Sequence, residues 1–179
     1  MDSVKVLDKS FRLYMENAEI LEIIGELAKR INNDYIDRQM PPVVLCVLNG
    51  SILFTATLIQ QLDFDVILAT IRLQSYCGTA STGKIEVTSD VSCDIEGRDV
   101  IVMEDIVDTG CTMDFLTAYL REKGAAEVKV CTFLHKPNAF RGKCKLDYVG
   151  KCIPNDFIVG FGFDYNGLAR HYKDIYVLE

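Results

Sequence analysis

An α/β fold, with a mostly parallel sheet flanked by helices, is what this sequence predicts, and three observations carry it. Short, largely apolar runs such as 43–48 and 128–134 alternate along the chain with segments whose apolar residues recur at helical spacing. The first of these runs is apolar at every position rather than every second one, as in strands covered by helices on both faces. Turn-forming residues, among them Pro41-Pro42, Asn49-Gly50-Ser51 and Glu96-Gly97-Arg98, separate the segments. Strands alternating with helices make a parallel sheet, because each crossover is long enough to hold a helix.

In chain order, Ile20, Ile23, Ile24, Leu27 and Ile31 fall on one face of a helix over 16–32. Pro41-Pro42 ends what precedes it. Residues 43–48 then form a buried strand, Asn49-Gly50-Ser51 turns the chain, and 52–61 continues as a helix. A second strand covers 66–73. The small and polar residues of 77–84 (CGTASTGK) read as a mobile loop, and Ile85, Val87 and Val91 as a hairpin strand. After the turn at 96–98 come a strand over 100–103, a helix over 113–123 with Gly124 at its C-terminal cap, and a strand over 128–134. Short strands at 157–161 and 175–178 close the chain. The 179 residues fit one domain, 1–179. In such sheets ligands collect beyond the carboxyl ends of the strands, which directs attention to the residues after Leu48, Met103 and Leu134.

Composition excludes several classes of function. Hydrophobic residues make up 49 % and charged residues 25 %, values of a chain with a real core rather than a disordered one. The formal charge of −7, with no basic run, argues against a nucleic-acid partner. Any phosphate must therefore be held by local devices. The seven cysteines (Cys46, Cys77, Cys93, Cys111, Cys131, Cys144 and Cys152), odd in number and without a C-x-x-C pair, read as reduced thiols of a cytoplasmic protein. His135 and His171 alone supply imidazole, so a zinc cluster has few ligands available. Met1-Asp2-Ser3-Val4-Lys5 begins no apolar signal segment, and no run approaches the ~18 apolar residues of a membrane span.

The chemistry concentrates in Val100-Ile-Val-Met-Glu104-Asp105-Ile-Val-Asp108-Thr109-Gly110-Cys111-Thr112. Thr109 to Thr112 at a helix start offer free backbone N–H groups, hydroxyls and the positive end of the helix dipole, a site for phosphate. Three carboxylates would repel that phosphate unless they face sugar hydroxyls, a magnesium ion or developing positive charge. A phosphorylated sugar satisfies both halves. The plainer reading makes Asp108 or Thr109 a helix cap and Glu104-Asp105 a solvated turn. An acidic pair at the end of a buried strand without a partner is too costly for that reading to explain the whole string. Asp108-Thr109-Gly110 is also the aspartic-protease triplet, but those enzymes are β-proteins and here the triplet leads into a helix.

This string resembles the phosphoribosyl-pyrophosphate (PRPP) motif of the phosphoribosyltransferases, and the likeness extends over most of the chain toward the hypoxanthine–guanine branch. Val47-Leu48-Asn49-Gly50 resembles that branch's pyrophosphate-binding turn, and Ser75-Tyr76 opens a loop like its active-site lid. His135-Lys136-Pro137 and Phe157-Ile158-Val159-Gly160 look like its purine pocket, and Asp164-Tyr165-Asn166 with Arg170 like its C-terminal signature. One departure stands out: many members carry Lys or Arg where this chain has Asn49, so side-chain charge is missing from that turn.

The resemblance implies a parallel core with a small hood built from the N- and C-terminal segments. It implies transfer of the phosphoribosyl group of PRPP to hypoxanthine or guanine with Mg²⁺, by a homo-oligomer (dimer or tetramer). Glu104 and Asp105 would hold the ribose hydroxyls directly or through the metal, and Asp164 would also ligate Mg²⁺. Asp108 would accept the proton at purine N7, and Thr109, Gly110, Cys111 and Thr112 would close on the 5′-phosphate. Gly50 and Arg170 would hold pyrophosphate, Lys136 would donate to the purine's exocyclic oxygen, and Phe157 and Ile158 would pack on the base beside Asp164. Cys111 is assigned to packing rather than to a nucleophile's role, having no histidine near it in sequence. Two rival readings are a xanthine-preferring enzyme and an RNA-binding regulator on the same fold; net charge and the absence of a basic run disfavour the second.

Overall fold

The computed structural model describes residues 2–75 and 85–179. Strands β1 (Ser3–Val6) and β2 (Lys9–Met15) lead into helix α1 (Asn17–Tyr35). Then follow β3 (Val43–Leu48), α2 (Ile52–Ile59), β4 (Ile67–Ser75), β5 (Ile85–Ser89), β6 (Asp99–Val107), α3 (Cys111–Glu122), β7 (Glu127–His135), β8 (Tyr148–Cys152), β9 (Ile158–Val159) and β10 (Ile175–Leu178). Six strands form the main sheet in the order β5-β4-β3-β6-β7-β8. Every pairing in it is parallel except β4 with β5. The N- and C-terminal segments meet in an antiparallel sheet, β1-β2-β10-β9, which is the expected hood.

Alternation along the central strands explains why both faces are covered. Val44, Ile101, Met103, Cys131 and Phe133 face α1 and α2, while Val43, Leu45, Val100, Val102, Val128 and Val130 face α3. Successive side chains of a strand point to opposite faces, so a run apolar at every position needs a helix on each side. Phe133 lies between Phe54 of α2 and Phe161 below the hood, with ring centroids 5.6 and 5.7 Å away, and so joins the two sheets through one core.

Strands β1, β2 and β8 have no counterpart in the sequence reading, and β6 and β9 differ from it in length. Strand β6 runs on through Glu104 and Asp105 to Val107, because backbone pairing with β7 continues where the apolar run stops. The strand expected over 157–161 shrinks to Ile158–Val159, since Gly160 and Phe161 adopt φ of 96° and 48°, which no strand accommodates. The loop expected over 77–84, and Tyr76 with it, lies outside the described residues. Among the described residues no helix is long and apolar enough to cross a membrane.

Candidate active site

Three strand ends converge, and the register of the sheet sets which residues meet. Val107 of β6 pairs with His135 of β7, so the next residues, Asp108 and Lys136, emerge side by side. The Lys136 backbone N–H donates to the Val107 carbonyl at 2.9 Å, and Lys136 Nζ approaches Asp108 Oδ2 to 3.7 Å. Lys136 is largely covered, with a side chain 12 % exposed, and Asp108 is open, at 52 %. Lys136 is therefore not a surface lysine.

Past Asp108 the chain turns into α3. Gly110 is the residue before the helix, at φ 85° and ψ −7°, and offers no side-chain cap, while Thr109 Oγ1 accepts from the Cys111 N–H at 3.4 Å. Asp108 is therefore not a helix cap, and N-terminal N–H groups of α3 beyond that of Cys111 remain available to an anion. Gly110 is required twice over: its φ favours glycine, and a Cβ there would lie 2.4 Å from the Phe140 ring. Phe140 belongs to the segment after Lys136, which is latched onto this turn. Arg141 N–H donates to the Thr109 carbonyl at 2.9 Å, and the Asp114 carboxylate accepts from the N–H groups of Lys143 and Cys144 at 2.7–3.0 Å. A cavity of about 240 Å³ opens here, lined in part by Glu104, Asp108, Thr109, Gly110 and Thr112. Cys111 is exposed, so the packing role expected for it does not hold.

The second corner lies where β3 ends. Gly50 sits against Asp105 so closely that a Cβ would stand 1.8 Å from Asp105 Oδ2. Gly162, from the hood segment, presses in turn on the Gly50 carbonyl. Buried Ser51 ties the turn back by donating to the Val47 carbonyl at 2.7 Å. Arg170 donates to the Gly162 carbonyl at 2.5 Å and pairs with Asp164 Oδ1 at 2.6 Å. Asp164 Oδ2 accepts from the Gly167 N–H at 2.7 Å, so both oxygens of Asp164 are engaged within the hood. Asn49 accepts a hydrogen bond from Arg72 of β4.

Glu104 and Asp105 are the electrostatic anomaly of the site. Burial first, and the neighbouring Asp105 carboxylate second, push Glu104 well above the ordinary carboxylate range. Asp105 is raised too, chiefly by burial, against the lowering influence of its neighbours, including Arg170. Glu104 Oε2 is buried and has no hydrogen-bond partner among the described residues. Among those residues no three metal-binding side chains cluster, so a cation here would need oxygens from a ligand as well.

On the hood, Phe157 is 44 % exposed and packs against Phe11 and Tyr165 at 6.2 and 5.9 Å, the latter edge to face, leaving ring surface open. Ile158 is buried in β9. The structure thus gathers Asp108, Lys136 and the 109–112 turn in one place and Gly50, Asp105, Asp164 and Arg170 in another, with Glu104 lining the cavity beside the first and next in sequence to Asp105 of the second. Ser75 ends β4. Sequence reasoning missed Asp114 and Arg72. An acid in a first helical turn and a charged residue in a strand carry no local signal for partners 29 and 23 residues away.

An α/β sheet with an anion-ready helix start and buried acids at its strand ends is the frame of a nucleotide-handling transferase. Comparison with known proteins makes this specific. Residues 14–166 match the family model described as "Phosphoribosyl transferase domain", and the chain belongs to that family. It is similar to a hypoxanthine-guanine phosphoribosyltransferase of Streptococcus pyogenes, 38 % identical over 164 residues, which are 91 % of this chain and 88 % of that protein. A hypoxanthine-guanine-xanthine phosphoribosyltransferase of Tritrichomonas foetus is 36 % identical over 180 residues, 100 % and 97 % of the two chains. Among solved structures, a hypoxanthine phosphoribosyl transferase of Trypanosoma cruzi superposes with a TM-score of 0.89 at 32 % identity, over 98 % of this chain and 95 % of that one.

The raised Glu104 carries a pH signature in the ligand-free chain. The folded state holds the proton more tightly than the unfolded one, so the contribution of Glu104 to stability is full below the ordinary glutamate pKa of about 4.3 and is lost as pH rises through the raised value. Glu104→Gln, neutral throughout, should melt higher than wild type at neutral pH, with the gap closing toward pH ~4. Thermal denaturation of both proteins between those limits checks it, and a gap independent of pH would contradict it.

Proposed function

We propose that this chain transfers the 5-phosphoribosyl group of PRPP to hypoxanthine or guanine, giving IMP or GMP and pyrophosphate, as a purine-salvage enzyme. The observation that carries the choice of base is the Asp108–Lys136 pair, 3.7 Å apart at adjoining strand ends. A carboxylate can accept from a purine N7–H, and an ammonium can only donate, which suits an exocyclic oxygen at position 6. These two groups neighbour one another on the edge of hypoxanthine and guanine. Adenine carries an amino group there, a donor facing a donor.

In the reaction purine N9 forms the bond to ribose C1′ as the bond from C1′ to the pyrophosphate oxygen breaks. Asp108 takes the N7 proton, and the carboxylates lining the cavity stabilise positive charge developing on the ribose. The turn over 109–112 holds the 5′-phosphate through its N–H groups and hydroxyls. Gly50 and Arg170 lie where pyrophosphate would leave, and Phe157 offers its open ring face to the base. Glu104 and Asp105 fit a magnesium ion: they offer hard oxygen donors, one of them buried without a partner, and the ion would take its remaining oxygens from substrate, neutralising polyphosphate charge. Asp164 would join that set through a lone pair left beside its bonds to Gly167 and Arg170. The lid role of Ser75 and Tyr76 rests on sequence resemblance.

A cytoplasmic location accords with the free cysteines, and assembly into a homo-oligomer with the exposed Ile36, Met40 and Leu68. In the Trypanosoma cruzi relative the C-terminal region has a role in oligomeric state and enzymatic activity.

Pyrophosphate release from PRPP, followed with hypoxanthine, guanine, xanthine and adenine in turn, tests the reading. Hypoxanthine and guanine should be used and adenine refused, EDTA should abolish turnover, and Mg²⁺ should restore it. Full activity without metal, or release with adenine alone, would overturn it. Asp108→Asn should lower kcat by roughly 10²-fold or more, the usual contribution of a general base, with a far smaller change in the KM for PRPP. An unchanged kcat would remove Asp108 from the proton transfer.

A further inference from the structure

We propose that Arg72, oriented by Asn49, supplies the side-chain positive charge that the turn after β3 needs to hold the pyrophosphate group of PRPP. The inference rests on the phosphoribosyl-transfer reading above. Asn49 lies in the turn that carries Gly50, against Asp105 and Gly162. The parallel register of β3 and β4 sets Leu48 beside Arg72, so an arginine at that position of β4 stands next to the turn. Its Nη2 donates to Asn49 Oδ1 at 2.8 Å.

The chemistry of the pair is directional. Arginine has donors and no acceptor, so the Asn49 amide must present its oxygen to Arg72, leaving its NH₂ group to face elsewhere as a further donor. The acceptor is consumed between the two side chains, and what remains for a ligand is a set of N–H groups bearing one positive charge. Anions with several oxygens, diphosphates among them, are what guanidinium forks bind best. The other arginine of this corner, Arg170, is paired with Asp164, which cancels much of its charge. Arg72 is held by a neutral amide, which orients a guanidinium without neutralising it. Among the described residues no ion pair involves Arg72. A lysine or arginine at position 49 would place like charge beside Arg72; with asparagine there, the side-chain charge at this turn comes from the neighbouring strand.

A purely structural role for Arg72, bracing the turn, predicts different behaviour, and the test separates the two. Wild type, Arg72→Gln, Asn49→Lys and the double variant are compared in initial-rate assays with varied Mg·PRPP, and in calorimetric binding of Mg·pyrophosphate and of GMP, which lacks pyrophosphate. Glutamine keeps a donor toward Asn49 and removes the charge. Arg72→Gln should raise the KM for PRPP roughly tenfold, as loss of one charge-assisted contact does, and weaken pyrophosphate binding similarly. Its kcat and GMP affinity should stay within about twofold, and Arg72→Lys should retain most of the PRPP affinity. In the Asn49→Lys background the same Arg72→Gln change should cost little, because the charge has been restored at the turn. An unchanged KM in Arg72→Gln, equal losses in both backgrounds, or GMP binding weakened as much as pyrophosphate binding would each overturn the proposal. If the wild type forms no nucleotide from any base, the transfer reading itself falls, and this inference with it.

Discussion

The parallel pairing of β6 with β7 determines where the chemistry of this protein can sit. From Asp99 opposite Glu127 to Val107 opposite His135 the two strands keep one register, and they end together. The acid after β6 and the lysine after β7 therefore meet without any flexible linker between them. A slip of one residue would send every side chain of β7 to the opposite face, burying Lys136's neighbours wrongly and separating it from Asp108. The two apolar layers, one against α1 and α2 and one against α3, hold that register, because both faces of both strands are packed. The position of the active groups is in this sense a property of the core.

Around that pair the site divides its charge. In the proposed reading backbone N–H groups at the start of α3 hold phosphate while Arg72 and Arg170 lie at the opposite corner, so a chain of net charge −7 could still hold a substrate rich in phosphate. Glu104, half-buried with its Oε2 enclosed, and buried Asp105 have raised affinity for protons. At neutral pH in the ligand-free chain the burial of these carboxylates disfavours their charged forms. In the proposed reaction sugar hydroxyls and a cation would supply the missing partners. Glycine at 50 belongs to the same arrangement, since any side chain there would collide with Asp105.

Much of this was legible from residues alone, and the physical reasons are particular. Strand β3 could be read to its ends because Pro42 and Asn49 bracket an unbroken apolar run, and α1 because its isoleucines repeat on one face. Strand β6 was read too short: hydrophobicity stops at Met103, whereas the hydrogen-bond ladder is indifferent to side chains and continues to Val107. Strand β8 was hidden because its middle is Gly150-Lys151, and β1 and β2 because their charged residues mask the alternation. Residues at strand ends could be located from topology, which placed Asp108 and Lys136 near ligand space. Contacts such as Asp114 with the Lys143–Cys144 backbone, or Arg72 with Asn49, join segments whose proximity only the folded chain creates.

The claim on which the account turns is that the Asp108–Lys136 pair reads the edge of a 6-oxopurine. It is tested most directly by kcat/KM for hypoxanthine, guanine and adenine in wild type, Lys136→Ala and Lys136→Gln. Two donors facing each other in a closed site leave both unpaired, at a cost of ~1–3 kcal/mol or more, so wild type should refuse adenine strongly. Lys136→Ala should weaken use of the oxopurines while narrowing the gap to adenine, and Lys136→Gln, whose amide can donate or accept, should narrow it further. Ratios among the three bases that stay constant while overall activity falls would contradict the account and move base selection to backbone groups near Ile158.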